Sequence, residues 1–407
     1  MDSRILWDYP AYCCLYGPFL LFGAIWCSIL FTDKEQSQMK TKLGLFQLYC
    51  IVLQAQFGSA IISIAHAVSE KSGAGGWLSC LLGGAANSLY IFMLWKLMVS
   101  AGERNVFQLV MQRLGGFGGR ILLTINSLFY SLILFIILSN WLYTTELWAY
   151  PRTPEWFLML TIFGVCIYLA LQPIRVYARF AVFCTMFIPL FIFLSGYMLK
   201  DWNPYHLLPL FEAGPLSFLD GAFIALWGLA GAEIMLLLPG YYTHADKVKV
   251  LRAALFANLS TTFFYAFCVF SSMALFGKEM IAFIREPLLY QMKAISLNVI
   301  ERFDLIIISI WILFILTSFY SYFMLIVSSL SAMLGNQQEA PKSITYVCGT
   351  VLFAICLFQL TAEQLDQVQT MTNRFAPLIS FGLIACMLLF VWLTGLKNKR
   401  GGRRSQL

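Results

Sequence analysis

Long runs of apolar residues, separated by short polar segments, dominate the pattern of this chain. A helix needs ~20 mainly apolar residues to cross a ~30 Å hydrocarbon core. Ten runs approach that length: 45–68, 77–99, 121–143, 156–171, 180–199, 216–238, 253–276, 305–330, 344–360 and 375–396. None alternates over about ten residues, as the strands of a membrane barrel do. The pattern therefore predicts an all-α polytopic membrane protein with ten transmembrane helices, which we number spans 1 to 10.

Composition supports the membrane assignment and excludes several classes of protein. Of the 407 residues, 60% are hydrophobic and 12% are charged, whereas soluble domains are about half apolar and a quarter charged. A secreted enzyme, a nucleic-acid-binding domain and a disordered scaffold are therefore excluded, and nucleic acid is not expected as a partner. The eleven cysteines and three histidines show no metal-ligand spacing, and the sequence has no nucleotide-binding loop. We therefore expect neither an enzyme nor a bound cofactor.

Lysine and arginine residues are distributed unequally between the two ends of the predicted spans. Seventeen flank the end where span 1 begins and span 10 finishes, and eight flank the opposite end. Cytoplasmic loops carry the excess of positive charge, so the start of span 1 and the C-terminal tail, 397–407, are expected in the cytoplasm. The basic tail is typical of a topology anchor or of a contact with anionic membrane lipid.

An additional apolar stretch, 12–31, precedes the ten spans. It contains Pro18 and two glycines, and no small-residue cleavage site of a secretory signal follows it. Met39 lies directly before Lys40, close to the start of span 1. Two interpretations of the extension 1–38 stay open: an upstream start assignment, with Met39 as the native start, or an extra helix packed at the periphery.

Glycines interrupt two spans at matching depths. Gly58 lies 13 residues after the first residue of span 1, and Gly228 lies 12 residues after the first residue of span 6. Laying spans 1–5 over spans 6–10 aligns these glycines, and the two halves, 39–199 and 200–396, then have opposite orientations because five is odd. This predicts an inverted repeat in which discontinuous spans 1 and 6 offer backbone groups to a small zwitterion. The candidate binding residues at the breaks are Gly58, Ser59, Gly228, Leu229 and Gly231; the alternative is that the glycines only allow close helix packing.

Polar side chains inside three spans are further candidates. Glu233 is the acidic residue deep within span 6, where a charge costs ~2.5 to 3.5 kcal/mol on insertion scales. It could bind a substrate amine, carry a proton, or hydrogen-bond to an opened backbone. In span 8, Thr317 and Tyr322 belong to a polar group expected to line the interior, and span 3 contributes Tyr130. Hydroxyl groups can also satisfy neighbouring helix carbonyls without serving a ligand.

Short segments between residues 40 and 335 share their order and spacing with a known family. They are Leu45-Phe46-Gln47-Leu48 and Gly58 in span 1, Pro151-Arg152-Thr153-Pro154, Leu208-Pro209-Leu210, Gly231-Ala232-Glu233-Ile234-Met235, Leu238-Pro239 and Ile300-Glu301-Arg302-Phe303. In this combination the chain resembles the B subunit of the spore germinant receptors, a branch of the amino acid/polyamine/organocation transporter superfamily. It departs from the family pattern at Gly240 and at Glu286-Pro287, where the family often has an acidic residue and Trp-Pro.

The resemblance implies a leucine-transporter-type fold and a role in sensing a nutrient, typically an amino acid, in the spore inner membrane. It also implies an A-type subunit and a lipoprotein C-type subunit as partners, with nutrient binding triggering release from dormancy. The nutrient would bind between broken spans 1 and 6 and spans 3 and 8. That position corresponds here to Gly58, Tyr130, Leu229, Glu233, Thr317 and Tyr322.

Two other functions stay open from the residues. A secondary amino acid transporter is the main alternative: span 5 lacks the lysine that proton-coupled relatives often have there, while Thr317 and Ser318 leave sodium coupling open. A purely structural membrane component is disfavoured because opened helices leave backbone groups unpaired, at a cost of several kcal/mol.

Overall fold

The computed structural model describes residues 43–58, 60–102, 104–210, 213–242, 247–295, 302–335, 340–358 and 360–404. Its thirteen α-helices within these ranges are α1 (Leu45–Gln56), α2 (Ala60–Ser72), α3 (Gly76–Ala101), α4 (Val106–Trp148), α5 (Glu155–Ala170), α6 (Ile174–Thr185), α7 (Ile188–Tyr197), α8 (Gly214–Gly228), α9 (Lys247–Phe283), α10 (Pro287–Ala294), α11 (Phe303–Met333), α12 (Lys342–Cys356) and α13 (Ala362–Arg404). The extension predicted at 1–38 lies outside the described residues.

Each predicted span coincides with one helix or with a consecutive pair of helical segments. Span 1 consists of α1 and α2, span 5 of α6 and α7, and span 6 of α8 followed by a 3-10 helix, Ala232–Leu237. Within the described ranges, seven helical stretches are long and apolar enough to cross a membrane, and α1, α5 and α12 are shorter apolar helices. The chain is therefore a multi-pass integral membrane protein, as its hydrophobic pattern predicts.

Equivalent spans of the two halves pack against each other. Helix α2 packs on α8, α3 on α9 and α4 on α11, which pairs span 1 with span 6, span 2 with span 7 and span 3 with span 8. The interruptions of spans 1 and 6 also fall where the sequence places them, after Gln56 and after Gly228. The predicted five-plus-five inverted repeat with discontinuous spans 1 and 6 is confirmed, whereas the division of the chain at residues 199 and 200 stays a prediction.

Close packing of α3 on α9 depends on a small residue at Gly84. A β-carbon at this position would lie 2.2 Å from the Cγ2 and Oγ1 atoms of Thr262. Thr262 has little freedom to move, because its hydroxyl donates a 2.7 Å hydrogen bond to the carbonyl oxygen of Asn258. Small residues of this kind let membrane helices approach each other where no hydrophobic force drives them together.

We expect Gly84→Val to destabilise the purified protein. Overpacking of a filled interface costs about 1 to 3 kcal/mol, so the thermal unfolding temperature in detergent should fall by several degrees. The control is Gly164→Val in α5, where an added β-carbon meets no heavy atom within 4 Å. Equal unfolding temperatures for the two variants would contradict the close contact at Gly84.

Candidate functional site

Hydroxyl groups of α11 partner the backbone at the end of α1. The last four carbonyl groups of an α-helix lack the hydrogen-bond donors that the next turn of the helix would provide. The Ser318 hydroxyl donates to the carbonyl oxygen of Ala55 at 3.1 Å. The Thr317 hydroxyl donates to the carbonyl oxygen of Gln54 at 3.2 Å, and also to that of Phe314 in its own helix at 2.7 Å. These bonds hold the broken end of α1 against α11.

Two aromatic residues complete this support around the first break. The hydroxyl of Tyr265, on α9, donates to the carbonyl oxygen of Gln56 at 2.9 Å. The indole nitrogen of Trp311, on α11, donates to the carbonyl oxygen of Gly58 at 3.4 Å. Donors on both α9 and α11 therefore hold the interruption of span 1, which lowers the cost of opening a helix inside a membrane.

Gly231 brings the second break into contact with the first. Its φ of +129° lies in the region that residues with side chains rarely adopt. A β-carbon on Gly231 would also lie 2.2 Å from the carbonyl oxygen of Ala55. Glycine is therefore required here both for the backbone conformation and for the approach of spans 1 and 6.

Three buried side chains, which we call the carboxamide cluster (Gln56, Asn87 and Asn258), hold the backbone at the second break. Gln56 Nε2 and Asn87 Nδ2 both donate to the carbonyl oxygen of Leu229, at 3.0 and 3.2 Å. The same two nitrogens donate to Oδ1 of Asn258, at 3.1 and 2.7 Å. The Thr261 hydroxyl donates to Oε1 of Gln56 at 3.2 Å. Because the cluster joins α1, α3 and α9, it fixes both breaks relative to the surrounding helices.

Glu233 lies fully buried behind the second break. Its Oε2 accepts a hydrogen bond from the backbone N–H of Gly231 at 2.7 Å, and its Oε1 accepts one from the hydroxyl of Tyr90 at 3.0 Å. Tyr130 and Tyr322 lie close enough to the Glu233 carboxyl group to interact with it electrostatically. The ring centroids of these two tyrosines are 5.8 Å apart. The carboxyl group thus partners the opened backbone directly, which is one of the three roles that the sequence leaves open.

An inner cavity of about 90 Å³ lies between the two breaks. Residues of both breaks line it, together with side chains of α2, α4, α8, α11 and α13. None of the described residues that line this cavity carries a charge. Its lining is Ala55, Gln56, Gly58, Ala60, Ser63, Ile64, Ala67, Ile133, Ile136, Ile137, Asn140, Ile224, Trp227, Gly228, Ala230, Ser318, Tyr322, Gln369 and Asn373.

A wider chamber of about 740 Å³, which we call the vestibule, adjoins the inner cavity where α2 ends and α13 begins. In contrast to the inner cavity, charged groups of both signs line the vestibule, including Arg285 and Glu286 of the segment between α9 and α10. Burial raises the pKa of the Glu286 carboxyl above its usual range, and the neighbouring Arg285 guanidinium opposes that shift. A ligand entering from this end therefore passes from a charged, polar chamber into a small uncharged one.

The structure brings the sequence-predicted residues to one region but places them in two layers. Gly58, Gly228 and Tyr322 line the inner cavity. The others described are buried behind its wall, where they partner or shape the backbone of the breaks or surround Glu233: Tyr130, Leu229, Gly231, Glu233 and Thr317. Ser59 lies outside the described residues. The assignment of all these residues to ligand binding stays a prediction.

Several residues that shape the site were not predicted from the sequence. The carboxamide cluster could have been found, because each of its members is an amide side chain within a predicted span, where polar groups are costly. Gln369 and Asn373 could not, since both precede the apolar run of span 10 and only the folded helix turns them toward the cavity.

The fold is that of the secondary transporters with two discontinuous helices. A solved structure of Mhp1, a nucleobase-cation-symport-1 family transporter in a closed conformation with bromovinylhydantoin bound, superposes with a TM-score of 0.61 at 14% identity, covering 85% of this chain and 78% of that one. A Na⁺-coupled sialic acid symporter in a substrate-bound outward-open state gives a TM-score of 0.53 at 12% identity, covering 94% and 84%. At these identities the similarity establishes the fold alone.

The sequence comparisons then identify the family. A protein-family model described as "Spore germination protein" matches residues 42–365, so this chain belongs to the spore germination protein family. Similar relatives are the spore germination protein GerQB of Bacillus cereus, 23% identical with 88% of this chain and 97% of the relative covered, and the putative spore germination protein YfkT of Bacillus subtilis (strain 168), 25% identical with 82% and 91% covered. Spore germination protein A2 of the same strain is 23% identical, with 88% and 97% covered. The resemblance stated from the sequence is confirmed.

We expect Glu233→Gln to leave the protein nearly as stable as the wild type, and Glu233→Leu to destabilise it. The amide oxygen of glutamine can accept from the N–H of Gly231 while its nitrogen donates to the Tyr90 oxygen. Leucine leaves both groups buried without a partner, at about 1 to 3 kcal/mol each. Thermal unfolding in detergent measures the difference, with Glu279→Leu on an exposed position of α9 as control. If glutamine destabilises as strongly as leucine, the carboxyl group has a role that these hydrogen bonds do not explain.

Proposed function

We propose that this chain is the B-type membrane subunit of a spore nutrient receptor. It binds an amino-acid-like small molecule in the inner cavity between broken spans 1 and 6 and spans 3 and 8, and binding triggers germination. Membership of the spore germination protein family supports the biological role. The observation that carries the binding role is the inner cavity itself, whose lining includes both helix breaks.

The two breaks present complementary partial charges to the cavity. Helix α2 begins at Ala60, which lines the cavity, and the N-terminus of a helix carries a positive partial charge that favours a carboxylate. Helix α8 ends at Gly228, and the carbonyl groups at a helix C-terminus favour an ammonium group. Because the described lining has no charged side chain, a zwitterion is the ligand whose two charges these backbone ends can balance.

The charge distribution of the loops supports an orientation for the protein in the membrane. With the excess of lysine and arginine in the cytoplasm, the vestibule faces away from the cytoplasm and the C-terminal tail lies within it. We place the chain in the spore inner membrane, beside an A-type subunit and a lipoprotein C-type subunit. A nutrient then reaches the vestibule from outside the spore core.

A secondary amino acid transporter is the second candidate. The observation that favours it is the group of oxygen atoms where Thr317 and Ser318 meet the carbonyl groups of Gln54 and Ala55, because oxygen ligands suit a small cation. In the present arrangement both hydroxyls donate to those carbonyls, so a bound cation would have to displace these hydrogen bonds. Uptake of labelled amino acid into proteoliposomes, with and without a sodium gradient, distinguishes a transporter from a receptor.

Spores that lack this chain should lose dipicolinate release in response to one nutrient of a panel of single amino acids and sugars. A gene copy that encodes all 407 residues should restore the response. Unchanged release for every nutrient, with the protein detected in the membrane of the parent spores, would contradict the receptor function and favour the transporter.

We expect Gly228→Val to reduce the nutrient sensitivity of spores by about tenfold or more, the equivalent of ~1.4 kcal/mol of binding free energy. A β-carbon at this position lies 2.8 Å from Cδ1 of Ile64, a movable end of a side chain, so the helix can form while the cavity is filled. Gly164→Val serves as the control. Dose–response curves of dipicolinate release, at matched protein levels on immunoblots, give the result; an unchanged curve would rule out this cavity as the nutrient site.

A further inference from the structure

The inner cavity and the vestibule meet at a passage, which we define by the residues that line both chambers. Six residues line both chambers: Ser63, Ala67, Asn140, Ile224, Gln369 and Asn373. Three of them, Asn140, Gln369 and Asn373, carry side-chain amides, and we call these the doorway carboxamides. Asn140 comes from α4, and Gln369 and Asn373 come from α13, which is far from α4 in the sequence. All three side chains are half-buried.

The doorway carboxamides differ from the carboxamide cluster because their hydrogen-bonding capacity is largely unused. The side chains of Asn140 and Asn373 form no hydrogen bond with any residue in the described part of the chain. Gln369 has one partner, since its Oε1 accepts from Nη2 of Arg285 at 3.3 Å. That bond sets the orientation of the amide and leaves the NH₂ group of Gln369 free to donate to a ligand.

Arg285 is itself held in place from two sides. Its Nη2 lies 3.5 Å from Oδ1 of Asp366, one turn before Gln369 on α13. Its guanidinium lies over the ring of Tyr143, on α4, with Cζ 4.9 Å from the ring centroid. Cation–π contact and an ion pair together restrict the side chain, so Arg285 presents a fixed donor to Gln369.

The distance between the breaks and the passage limits the size of a ligand that reaches both. Helix α2 begins at the first break with Ala60, and Ser63, which lines both chambers, lies three residues further along. At 1.5 Å per residue this is a rise of about 4.5 Å. A zwitterion whose carboxylate lies at the start of α2 therefore brings the end of a side chain of three or four heavy atoms to the passage.

We propose that the doorway carboxamides bind the side-chain terminus of the ligand and select amino acids that end in a neutral hydrogen-bonding group, with Arg285 as a positioning residue for Gln369. This rests on the proposed function, because it assumes a zwitterion in the inner cavity. An amide both donates and accepts, so it pairs with a hydroxyl or another amide. The six residues that line both chambers carry no charge, and the Arg285 guanidinium beside Gln369 already pairs with Asp366. An ionised side chain would therefore lose water at the passage without an unpaired counter-charge from Arg285, at a cost, and an apolar one would gain no hydrogen bond.

The test measures binding of isosteric ligands to the purified full-length protein in nanodiscs, by isothermal titration calorimetry. The ligand sets are L-asparagine, L-leucine and L-aspartate, and L-threonine and L-valine. We expect the wild type to bind the neutral polar member of each set at least about tenfold more tightly than its isosteres, a difference of ~1.4 kcal/mol. A preference for leucine, valine or aspartate would overturn the proposed selectivity.

Variants assign the selectivity to particular residues. Gln369→Leu should abolish the preference for asparagine over leucine, whereas Thr370→Val, at a vestibule position outside the inner cavity, should keep it. Arg285→Gln alone should weaken asparagine binding, but it should add no further loss when combined with Gln369→Leu. The effects of two substitutions on binding free energy are not additive when the residues act together. An equal loss for all ligands in Gln369→Leu, or additive effects of the two substitutions, would overturn the proposal.

The outcomes also separate this inference from the proposed function. If the wild type binds none of the amino acids, the proposed nutrient site fails and the selectivity falls with it. If the wild type binds them and Gln369→Leu leaves their order unchanged, the nutrient site stands and the doorway assignment is wrong. The thermal unfolding temperature of each variant without ligand shows whether a loss of binding reflects a loss of folding.

Discussion

Backbone groups that are opened inside a membrane need partners within the protein, and this constraint accounts for most of the polar architecture. Two spans are interrupted at the same depth, and hydrocarbon offers no hydrogen bonds to the freed groups. Side chains from α1, α3, α9 and α11 supply those bonds to the carbonyl groups of Gln54, Ala55, Gln56, Gly58 and Leu229. The helices that surround the breaks are therefore placed by the requirements of the breaks as well as by apolar packing.

The polar residues around the breaks and the passage fall into two groups with different roles. Those that hold the breaks, such as Thr317 and Asn258, are fully buried and bonded to backbone or to each other. Those at the passage, Asn140, Gln369 and Asn373, are half-buried and largely unbonded. A buried amide with all its bonds made contributes rigidity, whereas one with free bonds at a cavity wall can exchange water for a ligand.

The fold was predictable from the sequence to a greater degree than the site. Apolar run length and the matching glycines at Gly58 and Gly228 determine the ten spans, the breaks and the inverted repeat, because membrane crossing and helix interruption are local properties of the chain. Which polar residues reach the ligand depends on helix rotation and on contacts between distant segments. The sequence identifies Glu233 as an acidic residue deep within a span, yet only the folded chain shows that it accepts from Gly231 and Tyr90. Gln369 gave no comparable signal.

The hydrogen bond between the side chains of Asn87 and Asn258 does more than help to hold the carbonyl group of Leu229. Asn87 lies 11 residues after Gly76, the first residue of α3, and Asn258 lies 11 residues after Lys247, the first residue of α9. Helices α3 and α9 are the second spans of two antiparallel halves, and each contributes one asparagine to this contact. An amide is self-complementary, since it donates and accepts, so the 2.7 Å bond between Asn87 and Asn258 ties the two halves of the repeat together through one pair of identical side chains.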